Sequence, residues 1–351
     1  KALKKFNIFV YPKFKVMKNY LFYVGIDISK SKLDVVVLQK ETPNLIHHFI
    51  VENNLKGVKG ILKSLIKQKI DLSTVLFCCE NTGVYTFPLS SHLSEEKLDY
   101  WVVPAIEIKR SKGISRGKND KADAKDIALY SIRNIDKLKL SNLPETAIQQ
   151  LKLLYTEREK VMKSFKLFEA TKENIDFMPK QVYKSIVGIN NKTVKFLKVA
   201  LKTIEKEMIV IISNQIELKK QFDLIKSVPG VGDKTAIYML IVTRGFTAFD
   251  NARKFSCYAG TAPFEYSSGS SIKGRTKVNH MADKKMKSIL QMCALVAVKH
   301  DPQLKEYYER KKGEGKNAML VLNNVKCKII CRVFSVINRQ TPYVNTYKFA
   351  C

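Results

Sequence analysis

Acidic residues are scarce in this chain: 32 Asp and Glu stand against 62 Lys and Arg in 351 residues, a formal charge of +30. Hydrophobic residues make up 45% of it, so it is not a disordered basic tail. The positive charge must coat folded domains, and the length allows two or more with cores of their own. A surface of that charge calls for a polyanion, nucleic acid first. Long apolar runs are also missing. Nothing approaches the roughly 20 residues that cross a bilayer, so a membrane-spanning helix is excluded and an anionic membrane surface ranks below nucleic acid. Cysteine is sparse and unframed. Of the seven (Cys78, Cys79, Cys257, Cys293, Cys327, Cys331, Cys351), most sit in apolar surroundings such as VLFCCE and LQMCALVAV. That usage indicates reduced thiols and a cytoplasmic protein. Cys327 and Cys331 have no matching Cys or His pair, which excludes a zinc site. Residues 1–16, KALKKFNIFVYPKFKV, contain no acid at all. They lack the long apolar core and small-residue cleavage site of a signal peptide, and residues 1–19 are expected to be a flexible or non-native segment.

Within residues 20–140 the patterns alternate between strand and helix. YLFYVGIDI and LDVVVL read as a hairpin, LIHHFIV as a third strand, and TVLFCCE and YWVVP as buried strands. Between them, Leu55, Val58, Ile61, Leu62, Leu65 and Ile66 recur at helical spacing. TFPLSSHL and KNDKADAKDIALYSI read as further helices. The order β-β-β-α-β-α-β-α predicts an α/β, ribonuclease H-like domain. Residues 141–224 change to long helices. Val194, Leu197, Leu201, Ile204, Met208, Ile211, Gln215, Leu218, Phe222 and Ile225 alternate by three and four, a coiled-coil seam that serves either an intramolecular hairpin or a dimerisation arm. Residues 225–340 read as a compact, mostly helical domain interrupted by a Gly/Ser-rich loop at 266–277, with 341–351 as a tail.

Three constellations can carry chemistry. The first is acidic. Asp27 lies inside an apolar strand, where a carboxylate is costly unless paired or bound to a metal. Glu80 ends another strand, and Asp120 and Asp123 open a helix on one face. In a ribonuclease H-like fold these elements converge, and four carboxylates there would bind two divalent cations roughly 4 Å apart, with Mg²⁺ suited to oxygen ligands. Taken singly each acid has a plainer role: a turn for Asp27, helix caps for Glu80, Asp120 and Asp123. Asp126 reads as solvated charge and Asp34 as the entry of the second strand.

The second is SVPGVGDKTA. It resembles a helix-hairpin-helix turn, in which Gly230, Gly232 and Lys234 present backbone N–H groups and charge to a phosphate. An ordinary glycine turn is the alternative. The third is APFEYSSGSSIKGRTKVNH. A serine there gains interest if it reaches the metal site, with Lys273, Arg275 and Lys277 holding a phosphate and His280 as an orienter. By composition alone it is a linker.

The motifs YVGIDISKSKLDV, CCENTGVY, KNDKADAKDIA, SVPGVGDKTA and YAGTAPFEYSSGSS, in that order across residues 20–335, resemble the DEDD-type insertion-sequence transposases, a family that includes the pilin-gene invertases. The resemblance implies a RuvC-like ribonuclease H domain, then a coiled coil, then a small transposase domain. It implies metal ligation by Asp27, Glu80, Asp120 and Asp123 and a nucleophile at Ser268, chosen over Ser267 because Gly269 follows. It further implies a covalent 5′-phosphoserine intermediate, a tetramer whose composite sites join the acids of one subunit to the serine of another, and a structured non-coding RNA that pairs with donor and target DNA. In HMADKKMKSIL, Ala282-Asp283 and Lys287 stand where the family often has Gly-Asn and Arg, so a bidentate Arg contact is lost there.

Other readings remain beside this one. A RuvC-like junction nuclease would use the same acids with water and no serine. An actin-like ATPase fits GIDISKSK, but the second phosphate loop and adenosine motif it needs are absent from the sequence. A nucleic-acid scaffold with a dead site would not need all four acids.

Overall fold

The computed structural model describes residues 18–41, 45–111, 119–170, 177, 179–268, 272–278 and 281–345. It divides into two units, Lys1–Leu143 and Pro144–Cys351.

In the first unit, β1 (Phe22–Ile28), β2 (Lys32–Gln39) and β3 (Leu45–Glu52) are followed by α1 (Leu55–Lys67), β4 (Val75–Glu80), α2 (Phe87–Glu95), β5 (Tyr100–Val103), α3 (Ala105–Ser111) and α4 (Asp120–Arg133). The sheet order is β3-β2-β1-β4-β5, with β2 antiparallel to β1 and β3, and β4 parallel to β1 and β5. This is the mixed, ribonuclease H-like arrangement expected from the element order. Central strands covered on both faces read as continuous apolar runs, and the period of two sorts their residues. Val24, Ile26, Val35, Val37, Phe77 and Cys79 pack with α1 and α2. Val36 and Leu38 pack with Ala124 and Ala128 of α4, and Cys78 with Ile127 and Tyr130 on the same side. The sheet is therefore sandwiched, with α1 and α2 on one face and α4 on the other.

Gly25 sets how closely α4 lies. A Cβ at this position would stand 2.1 Å from the Ala124 carbonyl oxygen and 2.5 Å from the Ala128 amide nitrogen. The helix backbone thus occupies the space a side chain would fill.

The second unit holds α5 (Thr146–Ala170), α6 (Lys180–Ser213), α7 (Ile216–Lys226), α8 (Asp233–Thr243), α9 (Ala252–Tyr258), β6 (Pro263–Ser268), β7 (Ile272–Val278), α10 (Lys284–His300), α11 (Pro302–Gly313) and α12 (Ala318–Arg339). Helices α5 and α6 form an antiparallel hairpin. Arg158 bonds Glu205 at 2.7 Å while, further out, Lys198 lies over Phe165. Ile148, Leu151, Tyr155, Met208 and Ile212 join the core shared by α7, α8, α10 and α12.

Two expectations change here. The seam from Val194 to Ile225 is not one helix: α6 ends at Ser213, and Gln215 adopts an extended backbone (φ −121, ψ 107) as N-cap of α7. The polar Asn214-Gln215 pair stops the helix where the three-and-four spacing continues through it. The Gly/Ser-rich stretch is not only a loop, because β6 and β7 pair antiparallel from Pro263↔Val278 to Ser268↔Ile272. Among the described residues no helix is long and apolar enough to cross a membrane.

Candidate metal centre and serine hairpin

The first site grows from strand parity. Gly25 faces α4, so Asp27, two residues on, faces the same side near the start of that helix. The β1–β2 register pairs Asp27 with Asp34, and the β1–β4 register puts Ile26 beside Cys79, one residue before Glu80. Asp34 and Glu80 share the parity of the residues that pack on α4.

At the helix start Asn119 is the N-cap; its side chain accepts from the Lys121 amide at 3.0 Å. Asp120 and Asp123 are therefore not needed as caps. They lie in the first turn, half-buried, where the positive end of the helix dipole favours carboxylates. Glu80 caps no helix either, since Thr82 and Thr86 occupy the N-cap positions that follow it.

The electrostatics register the convergence. Burial, and then the carboxylates of Asp123, Asp120, Glu80 and Asp34, push Asp27 from 3.8 up to about 6. A cation reaches into this crowd. The Lys32 ammonium lies 2.7 Å from Asp120 and 3.1 Å from Asp34, and those bonds raise its own pKa. His48 Nε2 lies 3.4 Å from the other oxygen of Asp34. Asp34 is buried, at 3% exposure, so it belongs to the acidic cluster and is more than a strand entry. Lys32 and Asp34 are the two members that the sequence reading left out. Their alternation in KLDVVVL could have shown Asp34 on the face of Asp27.

The donor set is all carboxylate oxygen, which fits a hard divalent cation. Among the described residues, no group of three or more His, Cys, Asp and Glu is drawn close enough to hold an ion. The acids are neighbours, with Asp120 held by Lys32.

The second unit contains the other candidates. Ser268 ends β6 opposite Ile272, and Ser267 pairs with Lys273. The backbones of Lys273, Arg275 and Lys277 lie on β7. The side chains of these five residues lie outside the described residues, as do Gly269, His280, Cys351 and residues 1–17. The root of the hairpin is well defined. Asp283 caps α10 through a bond from the Met286 amide at 2.9 Å, and its other oxygen accepts from the Tyr238 and Tyr258 hydroxyls, each at 2.8 Å. Burial and that carboxylate push both phenols well above their ordinary value.

The SVPGVGDKTA turn packs against α10. Gly230 has φ +87, and a Cβ on it would meet the Cys293 carbonyl oxygen of α10 at 2.6 Å. Gly232 is the N-cap of α8. Lys234 is ion-paired with Glu205 at 3.1 Å, and Arg158 shares that carboxylate. Six of the cysteines are free thiols; burial pushes Cys79 up to about 12.

Comparison with known proteins supplies the context. A family model described as "Transposase", of the DEDD IS110 type, matches residues 24–173, and the model of the "Transposase IS116/IS110/IS902 family" matches residues 222–309. The pilin gene-inverting protein of Moraxella lacunata is 24% identical over 92% of this chain and 97% of its own. The "Insertion element IS110 uncharacterized 43.6 kDa protein" of Streptomyces coelicolor is 30% identical over 34% of this chain and 29% of its own. The solved structure of T. thermophilus RuvC in complex with a Holliday junction substrate is similar over 35% of this chain and 100% of that one, at 12% identity and a TM-score of 0.28. With both models matched in order, and with a similar pilin gene-inverting protein along almost its whole length, the chain belongs to the IS110 family of DEDD transposases.

Proposed function

We propose that this chain is the recombinase of an insertion sequence, which cuts and rejoins DNA through a serine ester. The observation that carries the reading is the crowding of Asp27 by Asp123, Asp120 and Glu80 at the start of α4. Four carboxylates assembled at that cost suit a site that holds cations. Asp27, Glu80, Asp120 and Asp123 would hold two Mg²⁺ ions, which supply charge stabilisation to the transferring phosphoryl group and ease ionisation of the attacking hydroxyl.

The remaining chemistry belongs to the chain. Ser268 Oγ attacks phosphorus and loses its proton. The P–O3′ bond breaks, and the 3′ oxygen leaves as a hydroxyl. The DNA 5′-phosphate is then esterified to serine. One phosphodiester has been exchanged for another, so a second 3′-hydroxyl can reverse the step on a new strand without ATP. A serine is a weak nucleophile without such activation. The acids and the serine must act in one site, which a tetramer can supply by joining the acids of one subunit to the hairpin of another. Exposed Ile186, Ile189, Phe196 and Val199 on α6 support an assembling arm.

A structured RNA encoded with the element would read donor and target DNA by pairing. That leaves the protein to hold backbones in the cytoplasm, for which a charge of +30 is suited. SVPGVGDKTA and the basic β7 strand would contribute phosphate contacts.

The test is a covalent adduct assay on element-end DNA. The wild type is expected to form a protein–DNA ester, and Ser268→Ala to lose it while still binding DNA. An adduct that persists moves the nucleophile, Ser267 first. Cleavage by the wild type with no adduct at any time would favour a junction nuclease of the same fold.

A further inference from the structure

Ten residues of α12 are buried, and nine of them are apolar; the tenth is Lys326, at 4% exposure. Among the described residues it makes neither a hydrogen bond nor an ion pair. Burial, and then the charge of a second cation, Lys287 of α10, lower its pKa. A lysine side chain buried near a second cation is unfavourable unless an anion joins the two.

The surroundings show where such an anion would lie. Asn323 and Cys327, three residues before and one after Lys326, both bond the Thr261 carbonyl oxygen, at 2.8 and 3.4 Å. Gly260, with φ +66, lets the chain turn there; a Cβ on it would stand 2.6 Å from the Ala282 Cβ and 3.5 Å from Cδ of Lys287. Two residues after Thr261, β6 begins, and one residue after Ala282 comes Asp283, whose amide bonds the Tyr258 carbonyl oxygen at 2.8 Å. Both ammonium-bearing side chains therefore sit at the root of the hairpin that ends β6 at Ser268.

We infer that Lys287 and Lys326 together bind one phosphate of a nucleic-acid backbone at the root of the serine hairpin. Ammonium groups are donors only, so they fit the unesterified oxygens of a phosphodiester and need no bidentate geometry. The cation pair that is unfavourable in the free protein becomes the source of affinity once the phosphate arrives. Such a site would hold the strand beside the nucleophile; the two lysines are positioning residues and take no part in bond making.

The inference rests on the recombinase reading, and the experiment separates the two. Full-length wild type, Lys326→Met and Lys287→Gln are titrated by fluorescence anisotropy with a labelled DNA duplex and with single-stranded RNA of the same sequence, across a range of NaCl. Each variant is expected to bind more weakly. Its plot of log affinity against log salt should be shallower by about 0.9 on the duplex or about 0.7 on the single strand. The polymer on which the slope changes is the one that supplies the phosphate. Affinity and slope equal to wild type on both polymers would overturn the inference. Failure of the wild type itself to bind either polymer would overturn the reading beneath it. Lys326→Met should also melt no lower than wild type without nucleic acid, because it removes a buried charge that none of the described residues pairs with; should it fail to fold, Lys287→Gln, on a half-buried position, decides the question alone.

Discussion

The Lys32 ammonium lies 2.7 Å from Oδ2 of Asp120, eighty-eight residues away in sequence. The same ammonium reaches Asp34 at 3.1 Å, so a monovalent side chain stands among carboxylates that a divalent ion would satisfy better. Lys32 and Asp120 are both partly exposed, and pairs of that kind contribute little to stability. Replacing Lys32 by Met should lower the melting temperature of the metal-free protein by only about a degree. The rise produced by Mg²⁺ should become larger than in wild type, because Asp120 loses its bond to Lys32 and the acids lose that counter-charge. Differential scanning fluorimetry with and without Mg²⁺ reads both. A smaller Mg²⁺ response in Lys32→Met would mean that the ammonium supports the metal site and does not compete for it.

Gly25 governs the approach of α4, and with it Asp120 and Asp123. In Gly25→Ala the new methyl would meet the Ala124 carbonyl oxygen at 2.1 Å, and backbone cannot swing aside as a long side chain can. Overpacking of this kind costs about 1–3 kcal/mol. The helix must slide away from β1, carrying two acids from Asp27. Chemical denaturation should show the stability loss, and the Mg²⁺-dependent rise in melting temperature should shrink with it. A Gly25→Ala protein as stable and as responsive as wild type would mean that the close contact does not position the acids.

Asp27 gives the site an unusual pH dependence. Its pKa is about 6 in the folded protein against an ordinary 3.8. Between those values the folded state holds a proton that the unfolded chain has released. This group therefore stabilises the metal-free fold as pH falls through about 6, opposite in sign to a salt-bridged aspartate. Mg²⁺ competes with the same proton. The Mg²⁺-induced rise in melting temperature should be full above pH about 7 and fade as pH falls through about 6. Asp27→Asn should raise the metal-free melting temperature at neutral pH and remove the Mg²⁺ response. A wild-type response that is constant across this range would take Asp27 out of the ligand set.

Much of the first unit is legible in the sequence because buried strands are short, apolar and bounded. The parity of Asp27 with Gly25, and of Glu80 with Cys78, is countable once the strands are found. Asp34 escaped because an acid near a strand end has a plainer explanation, and only the β1–β2 register puts it opposite Asp27. The β6–β7 ribbon was hidden by serine and glycine, whose composition marks linkers more often than strands. The helix break at Gln215 was hidden for a different reason: three-and-four spacing reports which residues face a partner and not whether the backbone between them is continuous. The pressing of α10 against Gly230 was hidden as well, because a glycine turn carries no mark of a partner more than sixty residues away.

Asp283 shows how a residue that departs from the family pattern can still be built into the fold. Its two oxygens divide the work, one capping α10 and the other accepting from Tyr238 and Tyr258. Asparagine can also cap, so Asp283→Asn tests the charge on the tyrosine side. Hydrogen bonds to a charged acceptor contribute about 1.5–3 kcal/mol, and Asp283→Asn should lose part of that. Tyr258→Phe should cost about 1.5 kcal/mol and Asp283→Ala more than either, because the cap goes as well. The coupling is the sharper measurement. If the two groups act through this bond, Tyr258→Phe in the Asp283→Asn background should cost clearly less than in wild type, and a denaturation cycle reads the difference. Additive losses would mean that Tyr258 holds the hairpin root by ring packing on Phe249 and Phe255 and not through Asp283.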